Sequence, residues 1–270
     1  MPDNPVIRQT RVMPALGAFA LAALIALPAT PAFANEESAR RVLQAMSDYM
    51  ASQPNLSADL DIDLDVITPQ VEKITFSATG QFLLSRPGRI RVIRTGGYTD
   101  MELIADGRQL TIHDREDHRY ARIDAAMPID QAIDMLRTRY SVEMPGADLL
   151  LTNSFATLMD GVIEAKHIGT GIVDGQRCEH LAFRNDDTDW QLWVRTGPQP
   201  LPCKYLITSK TMAAAPQYSV RFRNWNTAPN VNDSSFTFVP PANSRSVPFQ
   251  EMSTLGELPA PAAQGRRAGQ

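Results

Sequence analysis

From residue 56 to 66 apolar and polar side chains alternate without a break. Leu56, Ala58, Leu60, Ile62, Leu64 and Val66 fall on one parity, and Ser57, Asp59, Asp61, Asp63 and Asp65 on the other. Period two is the mark of a strand with one dry and one wet face. The pattern resumes with Ile74, Phe76, Ala78, Phe82 and Leu84, separated by Thr75, Ser77, Thr79 and Gln81. Pro87-Gly88 punctuates it, and residues 89–94 continue as a strand. Met101, Leu103 and Ala105 lead into Asp106-Gly107, a strong hairpin signal, and Leu110 and Ile112 return. Further strands are expected at 165–172, 177–184 (after an Asp174-Gly175 turn), 189–195, 203–209, 218–224 and 235–239. The whole is a meander of long antiparallel strands with one apolar face, which must be buried under helices, another sheet or a ligand.

Three stretches keep helical spacing instead. In residues 36–53, Ala39, Val42, Leu43, Met46, Tyr49 and Met50 recur at three- and four-residue steps until Pro54. In 128–140, Ile129, Ala132, Ile133, Leu136 and Tyr140 form one stripe, with Pro128 tolerated in the first turn. Residues 147–159, rich in Leu and Phe, are read as a third helix. The last two interrupt the run of strands and are candidates to lie across its apolar face. No internal repeat or long linker divides the sheet.

The first 34 residues are of another kind. Arg8 and Arg11 precede an apolar run from Val12 to Leu27, and Ala32-Phe33-Ala34 supplies small residues for signal peptidase. The run is broken by prolines and too short to favour a stable membrane span. The reading is a cleaved export signal over 1–34, an uncleaved anchor being the alternative, then a domain over 35–244. A Pro- and Ala-rich tail over 245–270 is expected to be disordered. With no Arg-Arg pair the general secretory route is favoured, and with no Cys after the apolar run a lipid anchor is not. The expected location is the periplasm, with no stable membrane anchor after cleavage. Loss of Arg8, Arg11 and Asp3 makes the mature charge one unit more negative than the −4 of the whole chain. That acidity speaks against nucleic acid as a partner. Two cysteines in an exported chain read as one disulfide, Cys178 to Cys203. The Gly197–Pro202 loop must then cross the end of the strand between them.

Chemistry is sparse. Asp59, Asp61, Asp63 and Asp65 invite a calcium reading, but side chains two apart on a strand do not converge on one ion. An acidic outer stripe that discourages edge pairing is favoured. His113, Asp114, Asp117 and His118 match no compact zinc motif and read as a polar loop. No nucleophile elbow, HExxH, Walker loop or dinucleotide fingerprint occurs, so catalysis has no positive support. Neither a metal nor a cofactor is expected. Arg86, Arg89, Arg91 and Arg94 cluster around one turn. Two readings stay open there, a solvated hairpin rim, or guanidinium forks at a cavity mouth that hold a head group or a lid carbonyl.

Three runs, GQFLLSRPGRIR (80–91), LIADGRQLTIHD and FTFVPPANS, resemble the lipoprotein-carrier superfamily of LolA and LolB. More closely, DGQRCEHLAFRNDDTDWQLWVRTGPQPLPCKYLIT resembles an uncharacterised family of predicted periplasmic proteins, domain of unknown function 2092. The likeness covers roughly residues 36–244. It implies a mainly β (α+β) fold, a curved antiparallel half-barrel whose N-terminal and inserted helices cover the concave face. Phe76, Phe82, Leu84, Ile90, Val92, Leu103, Ile133 and Leu136 are then the candidate cavity lining. Arg86, which matches the carriers' lid-latching arginine, and Arg91 are the candidate latch or head-group residues. The implied partner is a hydrophobic or acylated ligand held without catalysis. The rival is an envelope sensor or scaffold that takes a protein partner on the same face. A Pro-Leu-Pro-Cys segment and the proline-rich tail depart from a minimal carrier.

Overall fold

The computed structural model describes residues 36–97, 99–142 and 144–252. The expected export signal, and the tail beyond 252, lie outside them. Helix α1 (Glu36–Ser52) leads into β1 (Asn55–Ile67), β2 (Lys73–Ser85), β3 (Arg89–Gly96), β4 (Asp100–Asp106), β5 (Gln109–Asp114) and β6 (Arg119–Asp124). Helices α2 (Ile129–Tyr140) and α3 (Ser154–Met159) come next. The second run of strands is β7 (Glu164–Val173), β8 (Gln176–Arg184), β9 (Thr188–Arg195), β10 (Pro202–Ser209) and β11 (Gln217–Asn226), and β12 (Arg245–Ser246) follows near the end of the described chain. The strands make one curved, open sheet in the order β12-β6-β5-β4-β3-β2-β1-β11-β10-β9-β8-β7. Every pairing is antiparallel except the short parallel one between β12 and β6.

Turn chemistry explains the hairpins. At the β4–β5 turn Gly107 has a positive φ, and the Asp106 carboxylate accepts hydrogen bonds from the backbone of Arg108 and Gln109, both at 2.7 Å. The two halves meet where β1 pairs with β11, matching Leu64 to Tyr218, Ile62 to Val220 and Leu60 to Phe222. Helix α1 buries Ala39, Leu43, Met46 and Met50 against the β7–β9 side. Its one buried hydroxyl, on Ser47, accepts a hydrogen bond from the Phe155 backbone at the start of α3. The Ile129 backbone at the head of α2 donates to Pro87 in the β2–β3 turn. The next residue, Gly88, lies so close that a Cβ there would sit 2.9 Å from the Met127 carbonyl, and only glycine permits that approach.

Cys178 on β8 and Cys203 on β10 are joined, with Cα atoms 6.8 Å apart. A register shift between Pro202 and Lys204 takes Cys203 out of the regular ladder, and the 197–201 loop passes over the end of β9. The crossing has the form inferred from the loop.

Three expected elements are corrected. The single helix over 147–159 is a 3-10 turn, Ala147–Leu150, and the short α3. Thr152 donates to Asp130, and Asn153 caps α3 through Ala156 N, so local side-chain bonds displace continuous helix. The strand over 235–239 is replaced by a 3-10 turn, Asp233–Phe236, nucleated by a reciprocal Asn232–Ser235 capping box. The disordered tail does not begin at 245. Residues 233–244 cross the convex face, where Phe236 is buried under Arg89 and Phe238 packs on His113 and Tyr120. β12 then pairs with β6, and Val247, Phe249 and Met252 enter a core with α2, Leu110, Ile112 and Ala121. Composition suggests disorder, but three apolar residues are enough to bind the segment.

Two outcomes check these contacts. Phe249→Ala removes a buried ring packed 4.4 Å from Tyr140. It is expected to lower stability by about 3 kcal/mol in denaturant unfolding, whereas a loose tail gives no change. On the convex face His180 stacks on Trp193 and bonds Gln191 at 2.9 Å. Burial lowers its pKa from 6.5, and the Gln191 bond opposes the shift. The folded state therefore binds this proton less well than the unfolded state, so stability falls as pH drops through and below 6.5. His180→Gln is expected to melt with a flatter pH dependence than wild type over that window.

Candidate functional site

The concave face encloses a cavity of ≈ 980 Å³. Strand parity builds its wall. Leu60, Ile62 and Leu64 from β1, Ile90 and Val92 from β3, and Leu103 and Ala105 from β4 all point inward, because residues two apart share a face. Ile129, Ala132, Ile133 and Leu136 of α2 form the roof, and the alternating Tyr218, Val220 and Phe222 of β11 close the far wall. The hollow lies between two apolar clusters. One is centred on α1 and the long strands, the other on α2 and the C-terminal segment, and Leu103 and Met144 touch both.

Six of the eight expected lining residues are on the wall, namely Phe82, Ile90, Val92, Leu103, Ile133 and Leu136. Leu84 has the right parity, but at its end of β2 it is sealed in the core beside α1. Phe76 pairs across from Leu64 and is half-buried outside the lining. Sequence reasoning missed the residues of β11 and residues 141, 142 and 144–147. The alternation of Tyr218, Val220 and Phe222 is a usable signal, but the pairing of β11 with β1 is not visible in it.

The arginines separate. Arg86 donates from Nη2 to the Leu150 carbonyl at 2.9 Å and from Nη1 to Thr152 at 3.4 Å. Asp130 of α2 accepts from Thr152 N at 3.0 Å, so the end of β2, the 3-10 turn and α2 form one polar knot. Burial lowers the Arg86 pKa and the Asp130 carboxylate opposes the shift. Arg137 secures the other side of this segment, through Asp148 at 2.5 Å and the Met144 carbonyl at 3.3 Å. Arg91 is not at the cavity and is withdrawn as a latch. Its odd parity relative to Ile90 and Val92 turns it to the convex face, where it pairs with Glu102 at 2.5 Å and the Ser235 carbonyl at 3.3 Å. The guanidinium that does line the cavity is Arg94, which shares the inward parity.

The aspartates diverge. Asp59 meets Asn224, Asp61 meets Arg223, Asp63 meets Ser77 and Asp65 meets Thr75. His113 is no loop residue. It is buried on β5 with Nδ1 3.7 Å from Glu102, because Phe238 roofs the strand there. Ser38 contacts His167 Nδ1 at 3.0 Å, and His167 Nε2 contacts Glu179 at 2.8 Å. These are triad residue types with the two ring nitrogens exchanged relative to a serine hydrolase. The chain ties the first turn of α1 to β7 and β8, and none of its three residues is among those that line the cavity.

Among the described residues no helix is long and apolar enough to cross a membrane. No curated protein matches the chain. Similar solved structures include an uncharacterized conserved protein from Thermus thermophilus (8% identity, TM-score 0.48, 78% of this chain and 99% of that one). LppX, a lipoprotein of Mycobacterium tuberculosis, is similar at 12% identity and TM-score 0.46, over 73% of this chain and 100% of that one. A LolA superfamily protein from Nitrosomonas europaea is similar at 11% identity and TM-score 0.39, over 74% and 97%. Residues 39–250 match a family model described as "Predicted periplasmic protein (DUF2092)", and the chain belongs to that family.

Proposed function

We propose that this is a periplasmic, non-catalytic binding protein that holds a lipid or other acylated ligand in the concave cavity. The observation that carries the reading is the cavity itself. At ≈ 980 Å³ it lies at the upper end of the roughly 300–1,000 Å³ of ligand sites. Its wall is aliphatic and aromatic from β1 to β5, under α2 and along β11, with Arg94 and a few polar groups placed among them. Water gains little from such a wall, whereas an alkyl chain is transferred into it favourably along its whole length. Arg94 supplies one fixed positive charge for a polar head. In this reading Arg86 is a latch for the segment that roofs the cavity, holding Leu150 and Thr152 rather than touching the ligand.

Two measurements bear on it. Solvent extraction of protein purified after export, followed by lipid mass spectrometry, is expected to recover a bound lipid. Consistently empty protein that brings down a partner polypeptide would transfer the concave face to a scaffold role. Arg86→Ala is expected to weaken lid closure by about 1–2 kcal/mol and speed release of a fluorescent fatty acid, with the fold retained. Arg86→Lys should recover only part of the loss, since Lys lacks the planar fork. Equal release rates in all three proteins would reduce Arg86 to a rim residue.

A further inference from the structure

The cavity opens beside two neighbouring hairpin tips, 68–72 between β1 and β2 and 210–216 between β10 and β11. They are adjacent because β1 pairs with both β2 and β11, and Lys73 Nζ donates to the Ala215 carbonyl at 3.1 Å, joining one tip to the other. Both carry bare apolar side chains. Val71 is 57% exposed, Ile74 44% and Met212 55%, and Ala213 and Ala214 stand beside Met212, also exposed. Met212 is at once a surface residue and part of the cavity lining, and its loop neighbour Pro216 is buried within the same lining. Met212 therefore carries apolar lining from the interior out to the tip, beside the polar Asp65, Ser209 and Gln217 of the same lining. Of the large exposed hydrophobics among the described residues only Met212 lines the cavity, with Val71 and Ile74 on the strand end and turn beside it, whereas Ile163, Ile168, Ile172 and Val239 belong to neither tip.

Backbone conformation is a second, independent sign. Val71 has φ +64°, Ala214 +60° and Ala215 +43°. The left-handed region suits Gly or Asn, and a β-branched residue there is strained. These turns would be more stable with the usual residues, so turn geometry does not account for valine at the tip.

We infer that these two tips form a docking surface for a phospholipid bilayer, the valine, isoleucine and methionine side chains entering the lipid while the cavity mouth faces it. Shape favours lipid over protein. A specific protein interface needs about 800 Å² of complementary surface on each partner, with buried aromatic or arginine anchors. Here a few flexible aliphatic groups protrude from two tips, and a bilayer adapts to that outline without a matching pocket. The tips carry no surplus of positive charge. Lys73 lies near Asp65, Lys210 near Asp189, and Glu72 is exposed. Attachment is thus carried by apolar insertion and is largely insensitive to salt. Docked this way, an acyl chain passes between bilayer and cavity along Met212 without crossing water. This last step rests on the lipid-holding reading of the cavity, whereas the docking itself does not.

Flotation with vesicles of phosphatidylethanolamine and a minority of phosphatidylglycerol tests the inference, alongside fluorescent fatty-acid binding without vesicles. Wild type should float with the vesicles at low and high salt. Val71→Asp combined with Ile74→Asp, neither of which lines the cavity, should reduce partitioning by about tenfold or more while cavity binding persists. Val71→Asn should weaken partitioning yet leave the melting temperature unchanged or raised, since it relieves the strained φ. Wild type that fails to float, variants that float equally well, or attachment abolished by salt would each overturn the docking surface. Vesicle binding without fatty-acid binding would uphold it and remove the lipid-holding reading instead.

Discussion

The structure depends on one constraint. An open sheet whose strands alternate apolar and polar residues cannot leave its apolar face in water. Three covers answer it. α1 and α3 press on the β7–β9 side, α2 spans β3 to β5, and the C-terminal segment reaches round the β6 edge to add Val247, Phe249 and Met252. None of them fills the middle of the concave face. The cavity is the part of the apolar face that α2 roofs without packing down on it, which is why its wall has the composition of a core.

Polar knots set where the covers sit. Arg86 and Asp130 fix the 3-10 turn at one end of the lid, and Arg137 fixes its other side to α2. Each guanidinium meets a carbonyl or carboxylate at an element end, where backbone acceptors lack helical partners. The same device holds the convex strap, with Arg91 bridging Glu102 and the Ser235 carbonyl while Arg89 covers Phe236. One cluster of arginines at a turn thus serves both faces of the sheet, sorted by parity.

Parity also marks what can be read in the chain beforehand. Alternation from Leu56 to Val66 and from Ile74 to Leu84 locates β1 and β2, and the even positions Ile90 and Val92 point to the cavity wall. The rule that places those two also excludes Arg91 and promotes Arg94, but reading the arginines as a cluster about a turn hides the distinction. Leu84 obeys parity and still misses the cavity, since period two assigns a face and not a position along it. The β1–β11 pairing joins residues more than 150 positions apart, and no local pattern specifies it. Prolines and small residues disguise the segment 245–252 as a loose tail. What binds it is the spacing of Val247, Phe249 and Met252, which becomes legible only when β6 and α2 are in place.

The aspartate stripe of β1 gains a further meaning from the order in which a chain emerges, from ribosome or translocation pore alike. β1 appears early and finds β2 at once, but its other edge waits for β11, the far side of the molecule by sequence. During that interval a thirteen-residue strand with a greasy face and unpaired backbone groups is open to identical strands on neighbouring chains. Alternate aspartates make such a match unfavourable, because copies laid side by side bring carboxylates against carboxylates. The true partner resolves the conflict by supplying Arg223 to Asp61 and Asn224 to Asp59. The acids therefore act in time as well as in space, holding that edge for the strand that brings Arg223 to Asp61 and Asn224 to Asp59.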